Sequence, residues 1–409
     1  MTLSDPRRAL LPLALALACA TPALPALAQG LQTSFEAGEP APAKAGGTLQ
    51  VQIGNGPAEP YAAKRNVGYS GLRALHYQAG GGSARRELFN TDLAIDADTT
   101  LSWLVLPEIV GKDTVASTYV SLDLRLDDGS RVSASSVRDQ HGIALGAQAQ
   151  GDSKTLYPQQ WARKAVRLGD VPALRGRRVV AIELEVASAE GAPVSGWIDD
   201  VRLDAQPRNV PQRVSDWVLT TRGTQANGTF SRGNNFPATA VPHGFNFWTP
   251  VTDAGALNWL YRWNEQNDAK NRPQLQALAL SHQPSPWMGD RQTFQVMPSA
   301  SRGVPEADRG KRALSFDRSH ESARPYRYDV RFDNGIAASI APTDHAALFH
   351  FAFPEGGDAN LLFDNVDARG GLTLDAATQT LSGYTDTRSG LSNGATRMYV
   401  VARFDKPWR

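Results

Sequence analysis

Short runs in which apolar and polar residues alternate occur along most of the chain, and they limit the folds that it can adopt. Residues 119–126, Tyr-Val-Ser-Leu-Asp-Leu-Arg-Leu, alternate throughout and end in the turn sequence Asp-Asp-Gly. This pattern predicts a half-buried antiparallel strand followed by a tight turn. It returns in four further runs, 179–186, 326–332, 347–353 and 398–404.

The spacing between these runs decides the fold class. Helical periodicity is scarce, and the 36 glycines and 26 prolines punctuate the chain as turn residues. Strands joined by turns predict β-sandwiches or jelly rolls rather than a parallel α/β sheet. At 409 residues the chain exceeds what one core usually serves. We therefore predict an all-β protein of two β-sandwich modules, residues 31–205 and 213–409, with a proline-containing linker near 205–212.

The charge balance argues against two classes of partner. The chain has 42 Lys and Arg against 41 Asp and Glu, a net charge of +1, and both signs are spread along its length. No block of one sign predicts binding to nucleic acid or to a membrane surface. A neutral, polar ligand fits this composition better.

The first 28 residues have the features of an export signal. A basic pair at 7–8 precedes the apolar run 9–20, and Ala-Leu-Ala at 26–28 offers a cleavage site. A membrane span is the alternative, but the run is short for a bilayer and prolines flank and interrupt it. Cys19, the single cysteine, could instead carry a lipid. We expect a periplasmic or secreted protein without a membrane span, and lipid attachment is the less favoured alternative.

The second module begins with a segment whose residues are poorly suited to β-strands. Residues 223–250 interleave glycine, asparagine and proline with aromatic residues, and four of the nine tryptophans lie between positions 248 and 287. Backbone outside sheets must satisfy its polar groups elsewhere, so the segment predicts a surface loop or the wall of a polar cleft. Aromatic faces beside directed hydrogen-bonding groups suit a sugar.

Three ordered segments of this module resemble glycoside hydrolase family 92. Residues 234–244, Asn-Asn-Phe-Pro-Ala-Thr-Ala-Val-Pro-His-Gly, look like the Asn-x-Phe-Pro-Gly-x-x-x-Pro-Phe-Gly signature of its amino-terminal domains. Residues 281–298 match the family's Ser-His loop, Gly-Asp pair and Met-Pro strand, and residues 319–328 match its Glu-x-Ala-x-Pro-x-x-Tyr segment. Ala238 replaces the usual glycine and His243 the usual phenylalanine, which predicts a subgroup with altered substrate preference.

The resemblance implies an exported, calcium-dependent exo-α-mannosidase that acts on mannose-containing glycans with inversion. In that family the amino-terminal β-sandwich packs on a carboxy-terminal (α/α)6 catalytic domain, which supplies the acid, the base and most ligands of the catalytic calcium. The 409 residues hold no long helical sequence for such a domain. We therefore expect no catalytic residue in this chain and no activity from it alone.

Three carboxylates are candidates for a catalytic acid or base, but only their charge supports that role. Inversion needs two carboxyl groups about 6.5–9.5 Å apart with a water between them. Ion pairs or solvated turns explain the three candidates equally well. The candidates and their possible partners are Asp290 with Arg291, Glu265 with Arg262, and Glu321 with Arg324.

In the matched and neighbouring aromatic segments we expect supporting roles in sugar binding. Trp287 is expected to stack on the sugar or the leaving group, and His282 and Asn235 to donate to hydroxyls. Phe236 and Pro237 are expected to hold the loop against the catalytic domain. Core packing of a tryptophan and an unliganded histidine are the alternatives. The predicted substrate-binding residues are Asn235, Phe236, His243, Trp263, His282, Trp287 and Asp290.

Acidic residues mark both ends of the first module. Glu36 lies on what should be its first strand and Asp199 and Asp200 on what should be its last, and in a jelly roll these strands can meet. With Gly-Tyr-Ser-Gly at 68–71, they resemble galactose-binding-like modules, many of which bind carbohydrate and hold a structural calcium. Glu36, Asp199 and Asp200 are therefore predicted calcium ligands, because calcium prefers hard oxygen atoms. Turn capping or exposure to solvent is the alternative.

Two polar loops of the first module, 139–142 and 153–157, are of the kind that carries recognition on a rigid scaffold. Three functions remain open at this point. The leading hypothesis is the amino-terminal portion of a mannosidase. A stand-alone, non-catalytic carbohydrate-binding protein is the main alternative, and a structural surface protein is the third.

Overall fold

The computed structural model describes residues 30–43, 47–230, 233–242, 244–281, 286–287, 289, 293–366, 369–388 and 397–408. The predicted export signal, residues 1–28, lies outside these ranges. Within them almost all regular structure is strand, so the all-β prediction is confirmed. None of the helices in the described ranges has the length and apolar character needed to cross a bilayer.

Residues 31–205 form two antiparallel sheets. The strands are β1 (Leu31–Thr33), β2 (Gln50–Gly54), β3 (Ala74–Ala79), β4 (Ser83–Ala94), β5 (Thr99–Pro107), β6 (Val120–Leu126), β7 (Ala162–Arg167), β8 (Arg178–Ala187) and β9 (Val194–Ala205). One sheet runs β2-β3-β9-β5-β7, with β1 paired to β9, and the other runs β4-β8-β6. Leu31 lies opposite Leu203, so the first and last strands meet as predicted. One helix, α1 (Ala147–Asp152), is the longest of the connecting helical turns.

One hydrophobic core lies between these two sheets. Every residue of β5 is buried, and its Trp103 packs in the same cluster as Leu122 of β6 and Leu184 of β8. Side chains of both sheets therefore meet in a single core, as a sandwich requires.

The second half of the chain builds three sheets. Its strands are β10 (Phe247–Val251), β11 (Gln274–Leu275), β12 (Ala277–Ser281), β13 (Phe294–Ser299), β14 (Leu314–Arg324), β15 (Arg327–Phe332), β16 (Ala337–Pro342), β17 (Ala347–Ala352), β18 (Asn360–Asp364), β19 (Gly370–Asp375), β20 (Thr380–Thr385) and β21 (Met398–Arg403). The sheets run β10-β12-β13-β18, β11-β14-β15-β16-β17 and β19-β20-β21. All five alternating runs of the sequence lie on strands: β6, β8, β15, β17 and β21.

Two clusters hold these sheets together. The larger contains Tyr261, Phe316, Tyr328 and Ile340 and lies between the four-stranded and five-stranded sheets. A smaller cluster around Leu381 attaches the three-stranded sheet to the four-stranded one. The β-sandwich expectation is met in both halves of the chain.

The modules are joined through residues 68–73, which we call the junction loop. On one side, carboxylates of the first module accept its backbone N–H groups. Asp199 Oδ2 accepts from Tyr69 at 2.7 Å and Ser70 at 3.1 Å. Glu36 Oε1 accepts from the N–H groups of residues 72 and 73, both at 2.7 Å.

On its other side, the junction loop is held by an asparagine of the second module. Asn271 Nδ2 lies 2.9, 3.3 and 2.7 Å from the carbonyl oxygens of Gly68, Tyr69 and Gly71. Asn271 is 6% exposed and has a left-handed backbone, with φ of 59°. Asparagine tolerates that conformation better than most residues do. The two N–H groups of one amide are thus shared among three carbonyls of the other module.

Two further hydrogen bonds lie beside this contact. Trp263 Nε1 donates to the Tyr69 hydroxyl at 2.9 Å. Lys64 Nζ donates to the carbonyl of Asn267 at 2.9 Å and to that of Asp268. Because buried polar groups are costly to leave unpaired, these contacts favour a single relative placement of the two modules.

We predict that Asn271→Asp lowers the free energy of unfolding by about 2–4 kcal/mol, because it places a carboxylate against three carbonyl oxygens in a buried site. Asn66→Asp is the matched control, since Asn66 also has a left-handed φ of 55° but is exposed. It should change stability by less than about 0.5 kcal/mol. Urea unfolding of both variants measures the difference, and equal effects would contradict the role of Asn271.

Candidate functional site

The aromatic segment of the second module, residues 223–250, begins with a turn in which two glycines lie close together. Gly223 and Gly233 have φ of 84° and 129°, and a Cβ added to Gly233 would lie 2.3 Å from Gly223 Cα. Only glycine permits this approach. Asn235 closes the same turn, because its N–H donates to Gly223 O at 3.1 Å and its Nδ2 to Arg222 O at 3.0 Å. Its side chain is exposed.

Phe236 anchors this segment in the hydrophobic core. It is 8% exposed and packs in a small cluster with Val251, Leu260 and Ala277. Its ring is therefore directed into the core of its own module, which leaves no open face for a ligand.

Trp287 presents an aromatic surface to solvent. Its side chain is 54% exposed, and it meets Trp259 edge to face with 5.1 Å between the ring centroids. Trp259 is 7% exposed and has a left-handed backbone with φ of 54°. That conformation is rare for a bulky side chain, and such strain is often found at functional sites. The buried ring supports the exposed one.

Polar side chains border this tryptophan pair. A Cβ at Gly228 would lie 3.4 Å from Trp259 Nε1, so the turn 227–230 touches the pair. Asn227 Nδ2 donates to Glu265 Oε2 at 3.2 Å, and Glu265 pairs with Arg262 at 3.5 Å. The suggested ion pair between Glu265 and Arg262 is therefore present. An exposed ring with amide, carboxylate and guanidinium groups nearby is chemically suited to a sugar.

Trp263 lies at the junction of the modules instead of beside Trp287. Its indole is bonded to Tyr69, and the Arg318 guanidinium carbon lies 3.8 Å above its ring. Arg318 also pairs with Glu321 at 2.8 Å. The suggested partner of Glu321, Arg324, is therefore wrong. The Arg318 guanidinium therefore covers one face of the Trp263 ring, and Tyr69 takes its N–H group.

Glu321 is more enclosed than Glu265, the other candidate carboxylate that the structure describes. Its side chain is 4% exposed, and it accepts hydrogen bonds from the hydroxyls of Tyr328 at 2.9 Å and Tyr261 at 3.4 Å. With Arg318 it completes a buried network that braces the core. A carboxylate engaged in this way is not placed to activate water at an open cleft.

Three of the predicted sugar-binding residues, His243, His282 and Asp290, lie outside the described residues. Of the remaining four, Trp287 is on the open surface, Asn235 closes the turn at Gly223, Phe236 is in the core and Trp263 is at the junction. The substrate-binding assignment stays a prediction.

The predicted calcium ligands Glu36, Asp199 and Asp200 do meet around the junction loop. Burial, with the adjacent charge of Asp200, raises the pKa of Asp199 well above its usual value, and burial raises the pKa of Asp200. Ser70 Oγ donates to Asp200 Oδ2 at 2.8 Å. Two neighbouring carboxylates are thus held where their negative charge is poorly solvated.

Oxygen atoms converge beside Gly68 in this region. A Cβ added there would lie 2.2 Å from the Arg73 carbonyl oxygen, 2.8 Å from Asp199 Oδ2 and 2.9 Å from the Ser70 carbonyl oxygen. Such oxygen atoms fit a hard cation such as calcium. Among the described residues, however, no three His, Cys, Asp or Glu side chains gather in one metal-binding group.

A Ser-His-Glu cluster lies on the outer side of the first module's larger sheet. His76 Nε2 is 2.9 Å from Ser195 Oγ and 3.4 Å from Glu108 Oε2, and Ser195 Oγ donates to the same carboxylate at 2.6 Å. A nucleophile activated by histidine needs the acid on the other ring nitrogen. This cluster therefore lacks the geometry of a hydrolytic triad.

Sequence reasoning missed an aromatic cluster at the junction, formed by Tyr61, Tyr157 and Phe230. Loop 153–157 was singled out for its polarity, but its terminal tyrosine was not. Phe230 comes from the other module, so only the packing of the modules reveals the cluster.

Comparison with known proteins assigns the second module. Residues 217–409 match the family model of the glycosyl hydrolase family 92 N-terminal domain. A protein of Arthroderma benhamiae named an uncharacterized secreted glycosidase is 28% identical over 134 residues, which are 32% of this chain and 17% of that relative. The chain thus spans less than a fifth of that relative's length.

Two solved structures are similar to parts of the chain. The family 92 inverting mannosidase of Bacteroides thetaiotaomicron is 30% identical, with a TM-score of 0.43, over 48% of this chain and 26% of that one. A family 30 carbohydrate-binding module from a cellulosomal cellulase of Clostridium thermocellum is 14% identical, with a TM-score of 0.24, over 44% of this chain and 94% of that one. On the strength of the family model, residues 217–409 belong to the N-terminal domain family of glycosyl hydrolase family 92.

Proposed function

We propose that this chain is the amino-terminal portion of an exported exo-α-mannosidase. The complete enzyme removes terminal α-mannose from glycans with inversion, depends on calcium and works in the periplasm or outside the cell. In this proposal the chain binds carbohydrate and supports the cleft, while a carboxy-terminal (α/α)6 domain supplies the catalytic groups.

The observation that carries the proposal is the family 92 match over residues 217–409, combined with the exposed ring of Trp287. The secreted glycosidase of Arthroderma benhamiae adds support for export. Mannose as the substrate rests on the resemblance of segments 234–244, 281–298 and 319–328 to the family.

The carboxylates support a division of labour between this chain and a catalytic domain. Inversion needs an acid and a base about 6.5–9.5 Å apart with a water between them. Glu321 is 4% exposed and hydrogen-bonded on both oxygens, and Glu265 is paired with Arg262. Neither is free to take either role.

A stand-alone carbohydrate-binding protein is the second candidate. It is favoured by the same exposed tryptophan, which is 54% accessible on the described surface without any contribution from another domain. The two candidates differ in whether sugar is cut or only held.

Hydrolysis of an aryl α-mannoside separates them. We expect a protein extended to the natural stop codon of its gene to cleave the substrate in calcium and to lose activity in a chelator. The 409-residue chain alone should show no cleavage above the uncatalysed rate. Cleavage by the 409-residue chain would contradict the assignment of catalysis to another domain, and an inactive extended protein that retains glycan would support the binding protein.

We also propose that the first module holds a structural calcium near Glu36, Asp199 and Asp200. The raised pKa values of Asp199 and Asp200 and the oxygen atoms that converge beside Gly68 support it. When bound, calcium would neutralise the buried charge of the two aspartates, which hold the junction loop.

We predict that saturating calcium raises the unfolding midpoint of the 409-residue chain by roughly 5–10 °C over chelator, because a ligand that binds only the folded state stabilises it. Asp199→Asn should abolish the shift. The control is Asp386→Asn, an aspartate that is paired with Arg397 at the surface, and it should preserve the shift. Identical midpoints of the unaltered chain in calcium and chelator would refute the site.

A further inference from the structure

Three aromatic rings cross the junction between the modules, and we call them the junction aromatic cluster. Tyr61 and Tyr157 come from the first module and Phe230 from the second. The Phe230 centroid lies 4.9 Å from that of Tyr61 and 5.2 Å from that of Tyr157. Tyr157 is 48% exposed. Its ring therefore offers the solvent an apolar face with a hydroxyl at its edge, a combination that packs well on a pyranose.

The loop that carries Tyr157 is braced from inside the first module. Leu156 is 5% exposed and anchors the loop in the core. Lys164 Nζ lies 3.2 Å from Thr155 Oγ1 and 3.1 Å from Asp139 Oδ2, and the lysine and aspartate side chains of this ion pair are only 2% and 0% exposed. A rigid loop has little conformational entropy to lose when a ligand binds.

The junction aromatic cluster lies close to the tryptophan pair of the second module. Phe230 is two residues from Gly228, and two residues of chain span at most about 7 Å. Gly228 in turn touches Trp259, which supports Trp287. One turn, residues 227–230, therefore separates two aromatic surfaces. The hydrogen bonds of Asn271 and Trp263 join the two modules that carry these surfaces.

We propose that Tyr157 and its cluster form a second sugar subsite, continuous with Trp287, so that both modules bind one extended α-mannose oligosaccharide. The inference rests on the proposed function and deepens it. Trp287 contacts the sugar units nearest the cleft, and Tyr157 contacts units further along the glycan. The first module then serves as part of the binding surface and favours long glycans over single mannose units.

Binding of α-mannose oligosaccharides of increasing length to the 409-residue chain, measured by calorimetry, tests this. We expect the affinity of the unaltered chain to rise with length and Tyr157→Ala to remove that rise, with a loss of about fivefold to tenfold for the longest oligosaccharide. Tyr157→Phe keeps the ring and should stay within about twofold. Methyl α-mannoside should bind equally to the unaltered chain and to Tyr157→Ala.

Tyr399→Ala is the matched control, because Tyr399 is 76% exposed on strand β21, in the three-stranded sheet of the second module. It should bind like the unaltered chain. An affinity that does not depend on length, or a Tyr157→Ala variant that binds long oligosaccharides normally, would overturn the subsite, as would failure to bind any oligosaccharide. The aryl α-mannoside assay tests separately whether the extended protein hydrolyses mannosides. If only β-glucan or xylan binds, and binding needs Tyr157, the second subsite stands and the mannose assignment falls.

Discussion

The junction loop, residues 68–73, is the element on which the relative placement of the two modules depends. Its N–H groups are bound by the carboxylates of Glu36 and Asp199, and three of its carbonyls are bound by Asn271. The backbone N–H groups of this loop are thus hydrogen-bonded by the first module, and its carbonyl groups by the second. Separation of the modules would break the hydrogen bonds from Asn271, and a typical hydrogen bond contributes about 0.5–1.5 kcal/mol to stability.

This arrangement gives the first module a part in function. A carbohydrate-binding module on a flexible linker gathers substrate without constraint on orientation. A module fixed by Asn271 and by Trp263 can instead contribute side chains to the same surface as its neighbour. Tyr157 and Phe230, on opposite sides of the junction, are 5.2 Å apart between ring centroids. The glycan surface that we propose depends on that fixed contact, just as the proposed calcium site depends on the carboxylates that hold the same loop.

The sequence correctly predicted the features that local residue patterns control. Alternation located strands such as β6 and β8, and the acidic residues at the ends of the first module marked the positions that meet at the junction loop. The sequence did not reveal Asn271, which lies about 200 residues from the loop that it binds. Nor did it reveal the partner of Glu321, because a register shift in β14 between Phe316 and Glu321 lets Arg318 reach it. Long-range packing decides the first contact, and an irregularity within a single strand decides the second.

The distance distribution between spin labels on the two modules tests this account most directly. Cys19, within residues 1–28, is the single cysteine, so a protein without those residues takes labels only at introduced cysteines. Lys112→Cys and His350→Cys place them at exposed positions of the first and second modules. The account predicts one narrow distribution that broadens when Asn271→Asp is added. A broad distribution in the protein with Asn271 intact would show that the modules move independently and would contradict it.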